Sequence, residues 1–340
     1  MLYRFRVTLL AGAIVVIGVP TALSLERSPP WRHADKRIAL TFDDVPRGPG
    51  AFYTPEQRTT LLIAALRDSG VEQAAFFANP GRIGPANGGG ARLAAYAAAG
   101  HVIADHTFSH RDVASMRAPA FLADVDKAEA WLKGRPGYRP WLRFPGLNQG
   151  GRDMAKRRAV IDGLTARGLQ IAWVSVDGSD WNIEAQTIAA KRAGVAIDDA
   201  ALRDLYVETM VRSADFSDAL MRRTVRRSPP HVLLLHETDI AARYLPDLVA
   251  GLRKDGWEIV TADAAFADPL YHDTSDFVSA NGTLPEALAW RQHVGGKLYY
   301  ERNDLPLADR LFAERVLHRA PALASVTPVH RADAGSFTAR

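Results

Sequence analysis

Between residues 37 and 266 short apolar runs alternate with longer amphipathic ones, and this alternation limits the fold more than any other feature. The apolar runs are RIALTFDDVP (37–46), QAAFFAN (73–79), HVIAD (101–105), WLRFPG (141–146), LQIAWVSVDGSDW (169–181), HVLLLHET (231–238) and WEIVTADAAF (257–266). The first reads as a buried strand, WLRFPG as a strand end, LQIAWVSVDGSDW as a strand running into a loop, and the others as strands. Between them lie helical patterns, such as TPEQRTTLLIAALRDSG (54–70), where Thr54 can cap, Pro55 suits the first turn and Gly70 closes the helix. Further helices are expected over 91–100, 119–134, 151–168 and 243–256. Strands alternating with helices predict an α/β fold with a mainly parallel sheet.

The chemistry-bearing residues follow the same regularity. Asp43, Asp44, His106, Arg143, Asp177, Asp180 and His236 all fall at or just past the C-terminal end of an expected strand. In an α/β barrel that end builds the active site. ADHTFSH (104–110) sets His106 and His110 four apart, a spacing that suits one metal ion if both lie on one helical turn. With ten histidines in the chain the spacing also arises by chance. A site made of two neutral imidazoles would usually add a carboxylate. The adjacent acids Asp43 and Asp44, which end an otherwise apolar strand, are the best source. They could also be turn caps.

Composition excludes several classes. The chain has 340 residues, 47% of them hydrophobic and 24% charged, enough for one large domain with an appendage. A net charge of +4 gives no footprint for nucleic acid, and Arg222, Arg223, Arg226 and Arg227 read as a solvated helix face. There is no cysteine, so disulfides and thiolate metal sites are excluded. Residues 1–24 read as an export signal: basic MLYRFR, an apolar stretch from Val7 to Leu25, and Ala22-Leu23-Ser24 as a small-x-small cleavage site. The stretch is nearly long enough to span a bilayer, so an uncleaved anchor tethering the protein to the membrane is the competing reading. Pro20 favours cleavage. The expected location is the periplasm or cell surface, with residues 25–36 as a linker.

TFDD (41–44), HTFSH (106–110), RFPG (143–146), DGSDW (177–181) and LLH (234–236) resemble, in order and spacing, the five motifs of the polysaccharide deacetylases, the family 4 carbohydrate esterases. The resemblance spans residues 37–266. It implies a distorted (β/α)7-type barrel, here with a helical insertion at 184–230 and a C-terminal extension at 267–340. It implies Asp43 as catalytic base, with Asp44, His106 and His110 as ligands of one divalent metal ion, zinc first among candidates. Arg143 would hold Asp43, Asp180 would orient His236, and His236 would be the general acid. Trp181 and Leu234 would line a pocket for the acetyl methyl group. The implied substrate is an acetylated glycan: peptidoglycan, a chitin-like chain or poly-N-acetylglucosamine.

The chain departs from the family at three places. Gly146 stands where an aromatic residue is usual, which keeps the backbone N–H for an oxyanion but removes a wall of the substrate site. Val45 replaces a common glycine. Asp105 replaces a common asparagine and is a candidate hydrogen-bond acceptor for a metal-bound imidazole, or a strand-end cap. The missing aromatic keeps open an O-acetyl esterase, or an amidase on a non-sugar substrate; a non-catalytic sugar-binding protein is a third reading. In the extension, 282–296 and 305–320 read as helices and 323–340 as disordered. Trp290, Tyr299 and Tyr300 are expected to pack against the barrel rather than form a sugar platform. Nothing in the sequence indicates an oligomeric state.

Overall fold

The structure, a computed structural model, describes residues 36–84, 88–151, 153–272 and 282–319. The expected signal at 1–24, most of the linker at 25–36 and the disordered end at 323–340 lie outside them. No helix among the described residues is long and apolar enough to cross a membrane.

The chain runs β1 (Arg37–Val45), α1 (Pro55–Asp68), β2 (Ala75–Ala78), α2 (Gly89–Ala98), β3 (Val102–Asp105), α3 (Ala118–Leu132), β4 (Tyr138–Leu142), α4 (Met154–Ala166), β5 (Gln170–Ile171), β6 (Val176–Asp177) and α5 (Asp180–Arg192). It continues through α6 (Asp199–Val225), β7 (His231–His236), α7 (Asp239–Lys254), β8 (Glu258–Ile259), α8 (Ala262–Phe266), α9 (Leu284–Arg291) and α10 (Leu305–Arg315). All strand pairs are parallel, in the order β5-β4-β3-β2-β1-β7-β6, and β8 pairs with the start of β1. This curled sheet wrapped by helices is the distorted (β/α)7-type barrel expected.

β1 shows why both faces must be apolar. Its even residues Ile38, Leu40 and Phe42 pack outward with Leu62 and Leu66 of α1 and Leu245 and Leu248 of α7. Ala39 points the other way, among Phe77, Trp141 and Trp173. A period of two on a doubly covered strand gives a continuous apolar run. α1 starts where expected, with a capping box between Thr54 and Gln57 and Pro55 at its first position.

Two expected strands differ from the structure. The run 169–181 is not one strand: β5 pairs with β4 at one edge of the sheet and β6 with β7 at the other. Residues 172–175 cross between the edges and form the barrel seam, so the run changes partners midway. Its groups are bonded individually: Ala172 N donates to Leu142 O (2.7 Å), Ser175 N to Val232 O (3.1 Å), and Leu284 N of the extension donates to Val174 O (2.8 Å). The run 257–266 holds only a two-residue strand, because Thr261 caps α8 through Ala264 N. The run 141–146 is, as expected, a strand end: β4 stops at Leu142 and a helical turn follows at Pro145–Leu147.

The insertion is helical as expected, its main part being α6, whose buried stripe includes Leu202, Leu205, Tyr206 and Met210. Near its end Arg223, Arg226 and Arg227 are exposed, as expected of a solvated face, and three of the four arginines also hold partners. Arg222 pairs with Asp218, Arg223 reaches Gly295 O and Lys297 O, and Arg227 pairs with Asp268. In the extension Tyr300 is buried, whereas Trp290 and Tyr299 remain partly exposed.

Candidate active site

Strand periodicity aims Asp43 into the barrel, alongside Thr41 and Ala39. The next residue would point outward, but Asp44 adopts a left-handed backbone (φ 67°) and breaks the alternation. Both neighbouring acids therefore line one cavity of about 540 Å³. Its wall also includes Arg47, His106, His110, Gly146, Asp177, Trp181, Leu234 and His236.

Asp43 is buried and has a fixed cation. Arg143 Nη1 donates to its Oδ1 at 2.9 Å, while Arg143 Nε donates to Ala172 O at 2.5 Å. The guanidinium lies 4.1 Å from the Phe77 ring centre. At the opposite side, Asp180 grips His236 twice: His236 N donates to Oδ2 (2.8 Å) and Nδ1 lies 2.7 Å from Oδ1. Burial alone would lower the His236 pKa, but the Asp180 carboxylate outweighs it and, with Asp44 and Asp43, raises it.

The two metal-candidate histidines are not on a helical turn. They flank a loop after β3 in which Thr107 (φ 66°) and His110 (φ 56°) are left-handed. Asn79, at the end of β2, pins that loop by donating to His106 O and Thr107 O. His106 Nδ1 lies 2.8 Å from Arg143 O, which assigns the proton to Nδ1 and leaves Nε2 to face Asp44. Asp105 does not perform that task; its Oδ1 accepts from Thr107 N instead. Burial pushes the His106 pKa down to about 4, so the ring is neutral at pH 7.

Asp44 Oδ1 lies 2.8 Å from His110 Nε2 and 3.7 Å from His106 Nε2, and one ligand atom from each residue falls within 4.8 Å of the others. The Oδ1 atom is buried without an aligned hydrogen-bond donor. Burial would raise this carboxyl's pKa, but the His110 and His106 imidazoles hold it far below the ordinary range. Arg82 Nη1 also lies 3.2 Å from Oδ1, and an ionised carboxylate beside two imidazole nitrogens is a donor set that fits a divalent cation.

Residues 32–160 match the polysaccharide deacetylase family. The deacetylase match contains Asp43, Asp44, His106, His110, Arg143 and Gly146; Asp180, Trp181, Leu234 and His236 lie beyond it. Among solved structures, a family 4 carbohydrate esterase from Streptomyces lividans in complex with acetate is similar at 19% identity and TM-score 0.45, covering 68% of this chain and 96% of that one. The peptidoglycan deacetylase PdaC from Bacillus subtilis is similar at 18% identity and TM-score 0.43, covering 68% and 90%. The catalytic domain of a peptidoglycan N-acetylglucosamine deacetylase from Eubacterium rectale is similar at 20% identity and TM-score 0.45, covering 66% and 88%. No curated protein matches the chain.

The deacetylase motifs did not announce every residue at the site. Arg47 lines the cavity and donates from Nη1 to Asp44 Oδ2 at 2.8 Å. Its backbone is fixed by a buried ion cluster: Arg47 N donates to Glu237 Oε2 (2.8 Å), and Arg58 and Arg92 both donate to Arg47 O. Arg92 also pairs with Glu237 (2.5 Å), and Arg58 with Asp239 (3.0 Å). From the extension, Gly282 and Asn303 complete the cavity wall. The Gly146 backbone has φ 60°, and a Cβ added there would meet nothing within 4 Å. The wall is thus open at this position.

Proposed function

We propose that the protein is a metal-dependent hydrolase that removes acetyl groups from an N-acetylated glycan such as peptidoglycan, a chitin-like chain or poly-N-acetylglucosamine. The observation carrying this reading is the meeting, in one cavity, of the Asp44–His106–His110 donor set with two independently charged pairs, Asp43–Arg143 and Asp180–His236. A divalent ion held by Asp44, His106 and His110, zinc first among candidates, would polarise the acyl carbonyl and lower the pKa of the attacking water. Asp43, held by Arg143, takes the proton from that water, a contribution of about 10²–10⁴-fold for general base catalysis. His236, whose hold on a proton is strengthened by Asp180 against the effect of burial, delivers a proton to the departing nitrogen. The Gly146 N–H is offered to the oxyanion. Trp181 and Leu234 flank the acyl methyl. An O-acetyl ester or a non-sugar amide is the second reading, favoured by the open wall at Gly146. Export to the periplasm or cell surface through residues 1–24 belongs to the same proposal, and amino-terminal sequencing of the mature chain tests it.

Metal content by mass spectrometry, measured beside acetate release, tests the function. About one divalent ion per wild-type chain is expected, lost together with acetate release from N-acetylglucosamine oligomers in Asp44→Ala and His110→Ala. Metal with acetate release only from acetylxylan would transfer the reading to an esterase. Folded protein with neither metal nor acetate release would overturn it in favour of sugar binding without catalysis.

A further inference from the structure

Asp180 can grip both the backbone and the ring of His236 only if the start of α5 is held at a fixed place beside the end of β7. The helix does not fix that place itself. Its N-cap residue, Ser179, is left-handed (φ 53°) and makes no side-chain cap. A serine that forgoes its cap leaves the first turn of the helix without that acceptor.

The Ser179 hydroxyl goes elsewhere. It donates to Asn303 Oδ1 at 3.0 Å, and Asn303 Nδ2 donates to Asp177 O at 3.1 Å. One carboxamide of the extension thus spans the turn that leads into Asp180. A second attachment lies one turn further along: Asn182 Nδ2 and Gln186 Nε2 both donate to Asp309 Oδ1, at 2.9 and 2.6 Å. The side chains of Ser179, Asn182 and Gln186 therefore all reach partners in the extension.

The extension is itself anchored. Arg302 is buried and donates to Thr209 Oγ1 (2.8 Å) and Glu208 Oε1 (2.7 Å) on α6, and Arg315 takes Glu208 Oε2 (2.7 Å). Phe312 is buried in the core. On the other side of the turn, α6 presses close: a Cβ at Gly178 would lie 2.5 Å from Met210 Cε. The turn is held between α6 and the extension.

We propose that the C-terminal extension is an integral brace of the active site, in which Asn303 and Asp309 are positioning residues that hold Asp180 against His236. This rests on the reading of His236 as proton donor. Asn303 also lines the cavity, so Asp309 gives the cleaner test.

The experiment uses the full chain, ¹⁵N-labelled at histidine, as wild type, Asp309→Ala, Asp309→Asn and Asn303→Ala/Asp309→Ala. Two quantities are read: the low-field proton resonance of the His236 Nδ1–H bonded to Asp180, and kcat and KM for acetate release. The double variant is expected to lose or broaden that resonance and to drop kcat about tenfold or more, with KM changed less than about threefold. Asp309→Ala should show a smaller loss, and Asp309→Asn, which keeps the acceptor oxygen, should restore both readouts. Should the double variant fail to fold, the Asp309→Ala and Asp309→Asn pair decides. A retained resonance and unchanged kcat in folded Asp309→Ala and the double variant would overturn the brace. If wild type releases no acetate the proposed function falls, and the resonance alone still decides between brace and simple packing.

Discussion

Arg143 and Asp43 form an ion pair whose energetics follow from where it sits. The contact is 2.9 Å, with side-chain exposures of 1% and 3%. At an effective dielectric of about 20, unit charges about 4 Å apart attract by about 4 kcal/mol. Desolvation, several kcal/mol per ion, offsets most of that, so the intact pair adds little net stability. Removing one member is different, because it leaves a charge buried alone. Arg143→Met should cost about 3–5 kcal/mol, and Asp43→Asn a similar amount. The double variant buries no unpaired charge and should lose clearly less than the two singles added together, with a coupling of up to about 3 kcal/mol. The bonds from Arg143 to Ala172 O and Thr41 vanish in both variants that lack Arg143 and cancel in the cycle. Urea unfolding of the metal-free proteins measures all four corners. Losses that add to within about 0.5 kcal/mol would refute the buried-pair reasoning.

Three further outcomes are expected. Gly146→Ala should cost about 1–2 kcal/mol from backbone strain alone, since φ is 60° and the new methyl meets no atom within 4 Å; thermal unfolding reads this, and a much larger loss would mean a hidden contact. His106 in the metal-free protein should stay neutral well below pH 6, because burial lowers its pKa to about 4. Stability linked to this ring is present above about pH 6.5 and lost as pH falls toward 4, and an NMR inflection near 6.5 would contradict it. Arg92→Met should destabilise by about 3 kcal/mol, as Glu237 loses its 2.5 Å cation and keeps the Tyr96 and Thr59 hydroxyls, Arg47 N and a 3.9 Å Arg58; an unchanged urea midpoint would show that the cluster is dispensable.

The core strands β1, β2, β3 and β7 were legible because each is an apolar run paired along both of its edges. β5 and β6 were not, since hydropathy is blind to a change of partner within one run. The charged residues at strand ends were legible by position, and the structure brings Asp43, Asp44, His106, His110, Arg143, Asp180 and His236 to the same end of the barrel. The loop geometry of the histidine pair was not readable, because it depends on left-handed residues other than glycine. Arg58 left a usable signal: it lies on the same helical stripe as the buried Leu62, Ala65 and Leu66, where an arginine must find an internal partner. Asn303 left none, as its partners are more than a hundred positions away in sequence.

The seam at residues 172–175 gives the barrel a local coupling between closure and reactivity. The first carbonyl of the crossing, Ala172 O, is held by Arg143 Nε, and the same guanidinium holds Asp43. A fluctuation that opens the seam must therefore pull on the group that fixes the base, and a loosened base lets the seam part more easily. Closure of the sheet and readiness of the base become one cooperative event, so the hydrogen-exchange protection of Ala172 N should fall in any variant that releases Asp43 from Arg143.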